Sequence, residues 1–190
     1  RGNKFNYTYD SKHNLLSAVS ESGMKYTFTY DSKGNALTSR TGSDSEYIQT
    51  SATYTSVGSF VSSVTDARGK SVSYGYDTDK GLRTSVTDAN GGTTTFGHDS
   101  LGRNTSTSTP IDTGVTSTTS YTYVSGTDWQ YRTSNSSGAV LYYGYTNGVQ
   151  TEASRYSSNS QARPWQRYHL TLDAWGNTTK IQVQSGTGTT

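Results

Sequence analysis

The chain has 190 residues, a formal net charge of +2 and no cysteine, so disulfide bonds, thiolate metal sites and thiol catalysis are excluded. Leu, Ile, Val and Phe together number only 26, too few aliphatic and phenyl side chains to fill a thick core between two layers. Serine and threonine together number 63, a third of the chain. This composition favours an extracellular or cell-surface location over a cytosolic one.

A short motif recurs along the chain, in which two aromatic residues, one residue apart, precede an aspartate. It is found at Tyr7–Asp10, Phe28–Asp31, Tyr74–Asp77 and Phe96–Asp99, and in degenerate form at Tyr54–Thr55, Tyr121–Val124, Tyr143–Thr146 and Leu170–Asp173. Eight units with a mean spacing of about 23 residues fit this pattern. We therefore expect residues 1–190 to form one repeat domain, with a Gly/Thr-rich tail or link to further repeats at 183–190.

Aromatic and small polar residues alternate along each unit, and this alternation predicts strands. Tyr26, Phe28 and Tyr30 share one side of an extended chain and alternate with small polar residues, a pattern typical of a half-buried strand and not of a helix. A second turn motif, at 21–23, 66–69, 88–91 and 135–138, ends in a glycine seven residues before the last aromatic position. The sequence thus predicts an all-β fold, in which antiparallel β-hairpin repeats with about sixteen short strands form a single twisted, spiralling sheet.

Aspartate and glycine hold fixed places in the turns. The carboxylate is expected to accept the backbone N–H two residues on, and the glycine three residues on is expected to take a positive φ. The turn residues predicted in this way are Asp10, Asp31, Gly34, Asp66, Gly69, Asp77, Asp88, Gly91, Asp99, Gly102, Asp173 and Gly176. Glu21 is expected to head a further turn. His13 in place of glycine, and Gly81 one place late, predict two turns of different type.

Motifs for catalysis and metal binding are weak. His98-Asp99-Ser100 contains the residue types of a catalytic triad, but His98 occupies an aromatic position of the repeat. The acidic run from Asp77 to Asp88 resembles a calcium loop but lacks its glycine and its final glutamate. We expect no enzyme activity, cofactor or metal. Nucleic acid is disfavoured by the low net charge, and no apolar run approaches the length of a membrane span.

The last third of the chain has a different composition. It contains all three tryptophans and the longest repeat interval, from Thr146 to Asp173. Aromatic and arginine side chains on a loop can stack on sugar rings or anchor a partner protein. The candidate residues for surface or glycan binding are Trp129, Arg163, Trp165, Arg167, His169 and Trp175. The alternative is that Pro164 and Trp165 fill the sheet where the repeat is irregular.

The segments Phe28–Asn35 and Phe96–Arg103 carry an aromatic-x-aromatic-Asp-x-x-Gly run, with His98 at the second aromatic position of the latter. This run resembles the YD repeat of the Rhs/YD-repeat superfamily, and its copies span essentially the whole chain. The resemblance implies hairpins that wind into a closed shell, as in bacterial toxins that enclose a variable C-terminal effector, in insecticidal toxin complexes and in teneurins. Eight repeats would form an arc of such a wall, so we expect an excerpt of a longer protein. The Asp-Pro of the family's release region is absent, and self-cleavage is not assigned to this segment.

Two functions remain open on the sequence. In the first, the chain is a structural segment of a secreted or cell-surface protein, whose β-shell or spacer encloses or presents a C-terminal effector; its partners are then neighbouring repeats and the effector cargo. In the second, it is a glycan- or cell-wall-binding adhesin or a fibre subunit that forms homo-oligomers through its sheet edges.

Overall fold

The computed structural model describes residues 4–58, 60–158 and 164–185, and within these ranges the regular structure consists of sixteen β-strands without a helix. The strands are β1 (Phe5–Tyr9), β2 (Leu15–Ser20), β3 (Lys25–Tyr30), β4 (Ala36–Gly42), β5 (Tyr47–Tyr54), β6 (Val61–Thr65), β7 (Ser71–Asp77), β8 (Leu82–Thr87), β9 (Thr93–His98), β10 (Asn104–Asp112), β11 (Val115–Tyr123), β12 (Gln130–Asn135), β13 (Val140–Thr146), β14 (Val149–Tyr156), β15 (Gln166–Leu172) and β16 (Thr178–Ser185).

The strand order in the sheet follows the chain from β1 to β16, with antiparallel neighbours. The predicted fold class is therefore confirmed: antiparallel hairpins, two strands per repeat, lie in a single sheet. By their internal contacts, Arg1–Thr93 and Thr94–Thr190 form two compact units. The first contains β1 to β8, and the second contains β10 to β16 together with nearly all of β9.

The loops of the sheet fall into two sets, because successive loops of an antiparallel meander lie at opposite strand ends. We call the loops after odd-numbered strands the odd turns and those after even-numbered strands the even turns. The motif aspartates, or the residues that replace them, begin the odd turns, whereas Asp66, Asp88 and Asn135 begin even turns.

Every odd turn is followed by a β-bulge, which the sequence analysis did not foresee. Thr8 pairs with Ser17 and Tyr9 pairs with Leu15, so that Leu16 is an extra residue on β2. The same shift occurs in all eight hairpins, directly before the last aromatic position or its replacement. The extra residues are Leu16, Leu37, Ser62, Thr84, Thr105, Tyr131, Thr151 and Thr179. A bulge of this kind increases the local twist of the hairpin.

Few side chains are fully buried. Among the described residues the buried apolar side chains are Ala18 and Val140, and the buried polar ones are Thr151 and Ser154. Most residues of β2 to β15 are half-buried, so the buried apolar area is spread along the sheet and is not concentrated in a core. Hydrogen bonds and ring contacts between neighbouring hairpins add to this burial.

In the first three hairpins, pairs of hydroxyl side chains lie between the two aromatic positions. Thr8 and Thr29 share hydrogen bonds with the hydroxyls of Ser17 (2.7 Å) and Thr38 (2.6 Å) on the partner strands. Gly75 takes the equivalent place in β7, and a Cβ there would overlap the Ser85 hydroxyl in its present rotamer. A larger residue at Gly75 would require the Ser85 side chain to move.

Candidate functional site: the turn ladder and the polar face

The turn after β3 shows the geometry of the motif aspartate. Asp31 donates its N–H to the Asn35 carbonyl (2.9 Å) and accepts the N–H of Gly34 at its own carbonyl (3.1 Å). Its Oδ1 accepts the N–H groups of Lys33 (2.8 Å) and Asn35 (2.9 Å), and its Oδ2 accepts from the Asn35 side chain (2.8 Å). Gly34 has a φ of 89°, a conformation that favours glycine. One carboxylate thus holds three donors and fixes the loop.

The same loop recurs at both ends of the strands. In each copy the carboxylate accepts the N–H groups two and four residues on, and the residue three positions on has a positive φ. The aspartates placed in this way are Asp10, Asp31, Asp66, Asp88, Asp99 and Asp173. Gly69, Gly91, Gly102 and Gly176 are their positive-φ partners. The hydrogen bond from the N–H four residues on was not predicted from the sequence.

Of three expectations about individual turns, two need correction and the third is confirmed. His13 does not change the loop type, because it adopts a φ of 66° and donates to the Asp10 carbonyl as the glycines do. Glu21 does not head its turn: Ser20 does, accepting the N–H of Met24 at its hydroxyl (3.1 Å). The turn at Asp77 does differ, since Asp77 accepts the N–H of Lys80 (3.2 Å) instead of those two and four residues on.

Hydrogen bonds of the turns lower several aspartate pKa values. The Asn14, Asn35 and Asn177 side chains, which donate to Asp10, Asp31 and Asp173, hold the pKa of each carboxyl below its ordinary value. At Asp99 burial acts to raise the pKa, but the hydrogen bond from Arg103 and the backbone N–H groups outweigh it and the pKa is lowered. These four carboxylates are therefore stabilised in their ionised form.

Side chains of one odd turn also donate to carbonyls of the next. Lys12 donates to the Ser32 carbonyl, and Lys33 donates to the Val57 carbonyl (2.8 Å). Asn35 donates to the Gly58 carbonyl (2.8 Å) in addition to Asp31. In the second unit, Arg103 reaches the Thr127 carbonyl in the same way.

Tyrosine hydroxyls make a second set of bonds between hairpins. The last aromatic residue before an odd turn donates to a carbonyl near the start of the second strand of the preceding hairpin, as Tyr30 does to Leu15 (2.9 Å). The other bonds of this set are Tyr54 to Ala36 (3.0 Å), Tyr123 to Asn104 (2.8 Å) and Tyr145 to Gln130 (2.8 Å). Burial raises the pKa of Tyr123 and Tyr145, so both hydroxyls keep their protons at neutral pH. We call these tyrosine bonds and the bonds between odd turns, taken together, the turn ladder.

Three odd turns lack the aspartate, and in two of them an aromatic ring makes the contact to the next hairpin. Thr55 and Val124 begin these two turns, and each donates its N–H to a carbonyl five residues on, that of Phe60 or Trp129 (both 2.8 Å). The Phe60 ring stacks on Tyr76 with ring centroids 4.9 Å apart, and the Trp129 ring stacks on Tyr145 at 5.3 Å. Phe60 and Trp129 are thus equivalent residues of the turn ladder.

The candidate binding residues do not form one cluster. Trp129 lies in the turn after β11, Trp175 lies in the turn after β15 with 86% of its surface exposed, and Trp165 lies just before β15. The Arg155 guanidinium lies 5.1 Å from the centre of the Trp165 ring, and the Trp165 N–H donates to the Arg155 carbonyl (2.6 Å). Arg163 lies outside the described residues.

Arg167 and His169 lie together on one face of β15. Glu152 and Ser154 of β14 pair with His169 and Arg167, and Gln182 and Gln184 of β16 pair with the same two residues from the other side. Directly paired residues share a face of the sheet. We call these six residues, Glu152, Ser154, Arg167, His169, Gln182 and Gln184, the polar face; the last four line a shallow depression of about 220 Å³.

Glu152 is the charged centre of the polar face. Its Oε2 accepts from Arg167 Nη2 (2.8 Å) and lies 4.0 Å from His169 Nδ1, and its Oε1 accepts from the buried Ser154 hydroxyl (2.8 Å). Burial acts to raise the pKa of Glu152, but the hydrogen bonds from Arg167 and Ser154 outweigh it and lower the pKa. Sequence reasoning did not single out Glu152, because only the strand register brings it to Arg167.

Comparison with known families identifies the repeat. A model of the RHS Repeat family matches residues 9–46 and 78–110, segments that contain the aspartate turns at Asp10, Asp31, Asp88 and Asp99. The chain carries RHS repeats. The resemblance to the Rhs/YD-repeat superfamily, predicted from the motif, is confirmed for these two segments. No curated protein matches the chain at a significant level.

Solved structures share the fold of this RHS-repeat chain. One is a Photorhabdus luminescens Tc holotoxin pore with a mutation in TccC3, with a TM-score of 0.60, 14% sequence identity and coverage of 95% of this chain. Another is TcdB2-TccC3, with a TM-score of 0.57, 13% identity and 95% coverage. The chain spans only 11% and 12% of the lengths of these two proteins. At this level of identity the likeness concerns the fold.

Proposed function

We propose that this RHS-repeat chain is a structural wall segment of a larger secreted or cell-surface protein, whose β-shell encloses or presents a C-terminal effector. The RHS Repeat match and the fold shared with Tc toxin proteins support a structural role for the segment. Its partners are then the neighbouring repeats of the parent protein and the effector.

The turn ladder is the observation that carries this proposal. Four tyrosine hydroxyls and the side chains of four turn residues join the first three hairpins to one another, and likewise the fifth, sixth and seventh. Bonds of this kind stabilise one layer of hairpins without a second layer packed on it. A thin wall leaves the enclosed space for cargo, whereas a domain with a thick core would fill it.

The extracellular location rests on the serine- and threonine-rich composition and on the toxin proteins that share the fold. Within the described parts of the chain, no helix is long and apolar enough to cross a membrane.

Limited proteolysis of the complete parent protein tests the proposal. We expect the region C-terminal to the repeats to resist a broad-specificity protease in the intact protein and to be digested rapidly when it is expressed alone. The matched control is the parent protein carrying Tyr30→Phe and Tyr54→Phe, in which weakened ladder bonds should accelerate loss of protection. Equal digestion of the C-terminal region in the intact protein and in isolation would contradict enclosure.

Surface binding is the second candidate function, and the exposure of Trp175 favours it. At 86% exposed, this indole is available to stack on a sugar ring or to insert into a partner protein. Trp175→Ala is then expected to abolish retention on a glycan array or on cell walls without changing the melting temperature. Retention that persists in Trp175→Ala, or that is absent from the unmodified chain, would remove this candidate.

A further inference from the structure

The polar face has more hydrogen-bond donors than its own acceptors use. Arg167 donates from Nη2 to Glu152, and its Nε, which is buried, has no hydrogen-bond partner among the described residues. The Arg167 side chain as a whole is 42% exposed, so a partner would meet its Nη groups and not the buried Nε. The Gln182 and Gln184 side chains, which line the same depression, each carry an NH₂ group with two donors.

The charges beside the depression favour an anion. Lys180 lies two residues before Gln182 on β16 and therefore shares its side of the strand. Glu152 balances one of the two positive charges, Arg167 and Lys180, so this part of the sheet has a net positive charge. A guanidinium has a planar fork of donors that matches a carboxylate.

The depression is small and open. It is therefore better suited to bind one side chain of a larger partner than a free small molecule. Pockets for small ligands have volumes of about 300–1,000 Å³ and bury most of the ligand surface. The depression, at about 220 Å³, lies on the face of a sheet and is smaller than that range. One acidic side chain would fit, with the rest of its chain lying along the strands.

We propose that the polar face binds a carboxylate side chain of an acidic peptide segment in a partner protein. The carboxylate contacts the accessible edge of the Arg167 guanidinium and the amide groups of Gln182 and Gln184. Glu152 and Ser154 hold Arg167 in position for this contact. The inference does not depend on whether the parent protein forms a closed shell.

An NMR titration of the ¹⁵N-labelled 190-residue chain tests the proposal. The probe is a capped Gly-Ser-Glu-Glu-Ser-Gly peptide, whose only carboxylates are side chains, and the matched probe carries Gln-Gln in place of Glu-Glu. We expect the Glu peptide to shift the Arg167 Nε–H signal and the Gln182 and Gln184 side-chain signals in a saturable way, and the Gln peptide to leave them unchanged.

Two variants separate the guanidinium from charge alone. Arg167→Lys keeps the charge but loses the fork, and it should weaken binding of the Glu peptide at least tenfold. Arg68→Lys, in an exposed even turn, should leave binding unchanged. If Arg167→Lys fails to fold, Gln184→Ala replaces it and should also weaken binding.

Three results would overturn the proposal. The first is an absence of shifts at the polar face at the highest soluble concentration of Glu peptide. The second is an equal response to the Glu and Gln peptides, or unchanged binding in a folded Arg167→Lys variant. The third is a saturable response to an oligouronate but none to the Glu peptide, which would assign the site to acidic glycans.

Discussion

At the scale of single residues, tyrosine before the odd turn has a chemical function that phenylalanine cannot replace. Its ring lies on the sheet, while its hydroxyl donates to a backbone carbonyl of the preceding hairpin, as Tyr30 does to Leu15. The aspartate that follows holds its own loop through backbone N–H groups. The two residues of the motif therefore have different tasks: one joins two hairpins, and the other shapes one turn.

Removal of a single tyrosine hydroxyl should destabilise the chain measurably. Tyr30→Phe leaves the Leu15 carbonyl without its side-chain donor and is expected to cost about 1 kcal/mol of the free energy of unfolding. Tyr9→Phe is the matched control, because Tyr9 belongs to the first hairpin and is largely exposed; it should change stability by less than about 0.3 kcal/mol. Chemical denaturation measures both. Equal effects would mean that the hydroxyl bond contributes nothing.

The positive φ at Gly34 makes that position sensitive to the shape of its side chain. Gly34→Val places a β-branched residue at a φ of 89° and should destabilise by about 1 kcal/mol or more. Gly34→Asn should be milder, since asparagine tolerates this region and His13 already occupies it in the first turn. Asp31→Ala should also lower the denaturation midpoint, by more than Asp44→Ala, whose carboxylate lies outside such a turn. A midpoint unchanged in all these variants would contradict the account of the turn.

Low pH should destabilise the fold, because the aspartates of these turns become protonated. Asp10, Asp31, Asp99 and Asp173 have pKa values in the folded chain below their ordinary value. Their contribution is complete above the unfolded pKa, about 4, and is lost as the pH falls through the lower folded values. We expect the denaturation midpoint to be level from about pH 7 to 5 and to fall progressively below about pH 4. A midpoint that stays level down to about pH 2 would contradict this linkage.

At the scale of the hairpin, the sequence predicted the regular elements and missed the contacts between them. The alternation at Tyr26, Phe28 and Tyr30 and the fixed glycine spacing are local signals, and they predicted the strands and most of the turns. The bulge at Leu16 depends on the register of two paired strands, and the bond from Tyr30 to Leu15 depends on the register of two hairpins. No local sequence pattern encodes either register. Asn35 was missed for the same reason, since its second partner, the Gly58 carbonyl, belongs to the following turn.

Proximity in the sequence does not bring the three tryptophans together in the fold. Trp129, Trp165 and Trp175 fall in the last third of the chain, yet they lie in different loops of the sheet. Strand register instead brings Glu152 to Arg167, across 15 positions of sequence. Because side chains alternate between the two faces of a strand, the sequence could have placed Arg167 and His169 on one face of β15. It could not identify their partner on β14.

The equivalence of Phe60 and Trp129 leads to a prediction at this scale. Trp129 is 40% exposed and stacks on Tyr145, so Trp129→Ala should destabilise by about 1–2 kcal/mol through lost stacking and burial. Trp175→Ala is the matched control and should cost less than about 0.5 kcal/mol, because Trp175 has little contact to lose. Urea denaturation compares the two. Equal costs would show that Trp129 does not belong to the turn ladder.

At the scale of the whole chain, the distribution of contacts determines how stability is spread. The buried apolar side chains among the described residues are Ala18 and Val140, whereas ladder bonds join successive hairpins within each of the two compact units. In such a repeat array each element interacts mainly with its neighbours, so that stability is a sum of local contributions. A wall of this kind can be lengthened by adding hairpins, which suits a segment of a much longer protein.

Hydrogen exchange of individual backbone amides in Tyr54→Phe tests the central claim most directly. The lost bond joins Tyr54 to the Ala36 carbonyl, between the β3–β4 and β5–β6 hairpins. If stability accrues hairpin by hairpin, exchange should accelerate in β3 to β6 and remain unchanged in β10 to β16. A uniform acceleration across all strands would show that one cooperative core stabilises the chain, and would contradict the account of a wall held together by its turn ladder.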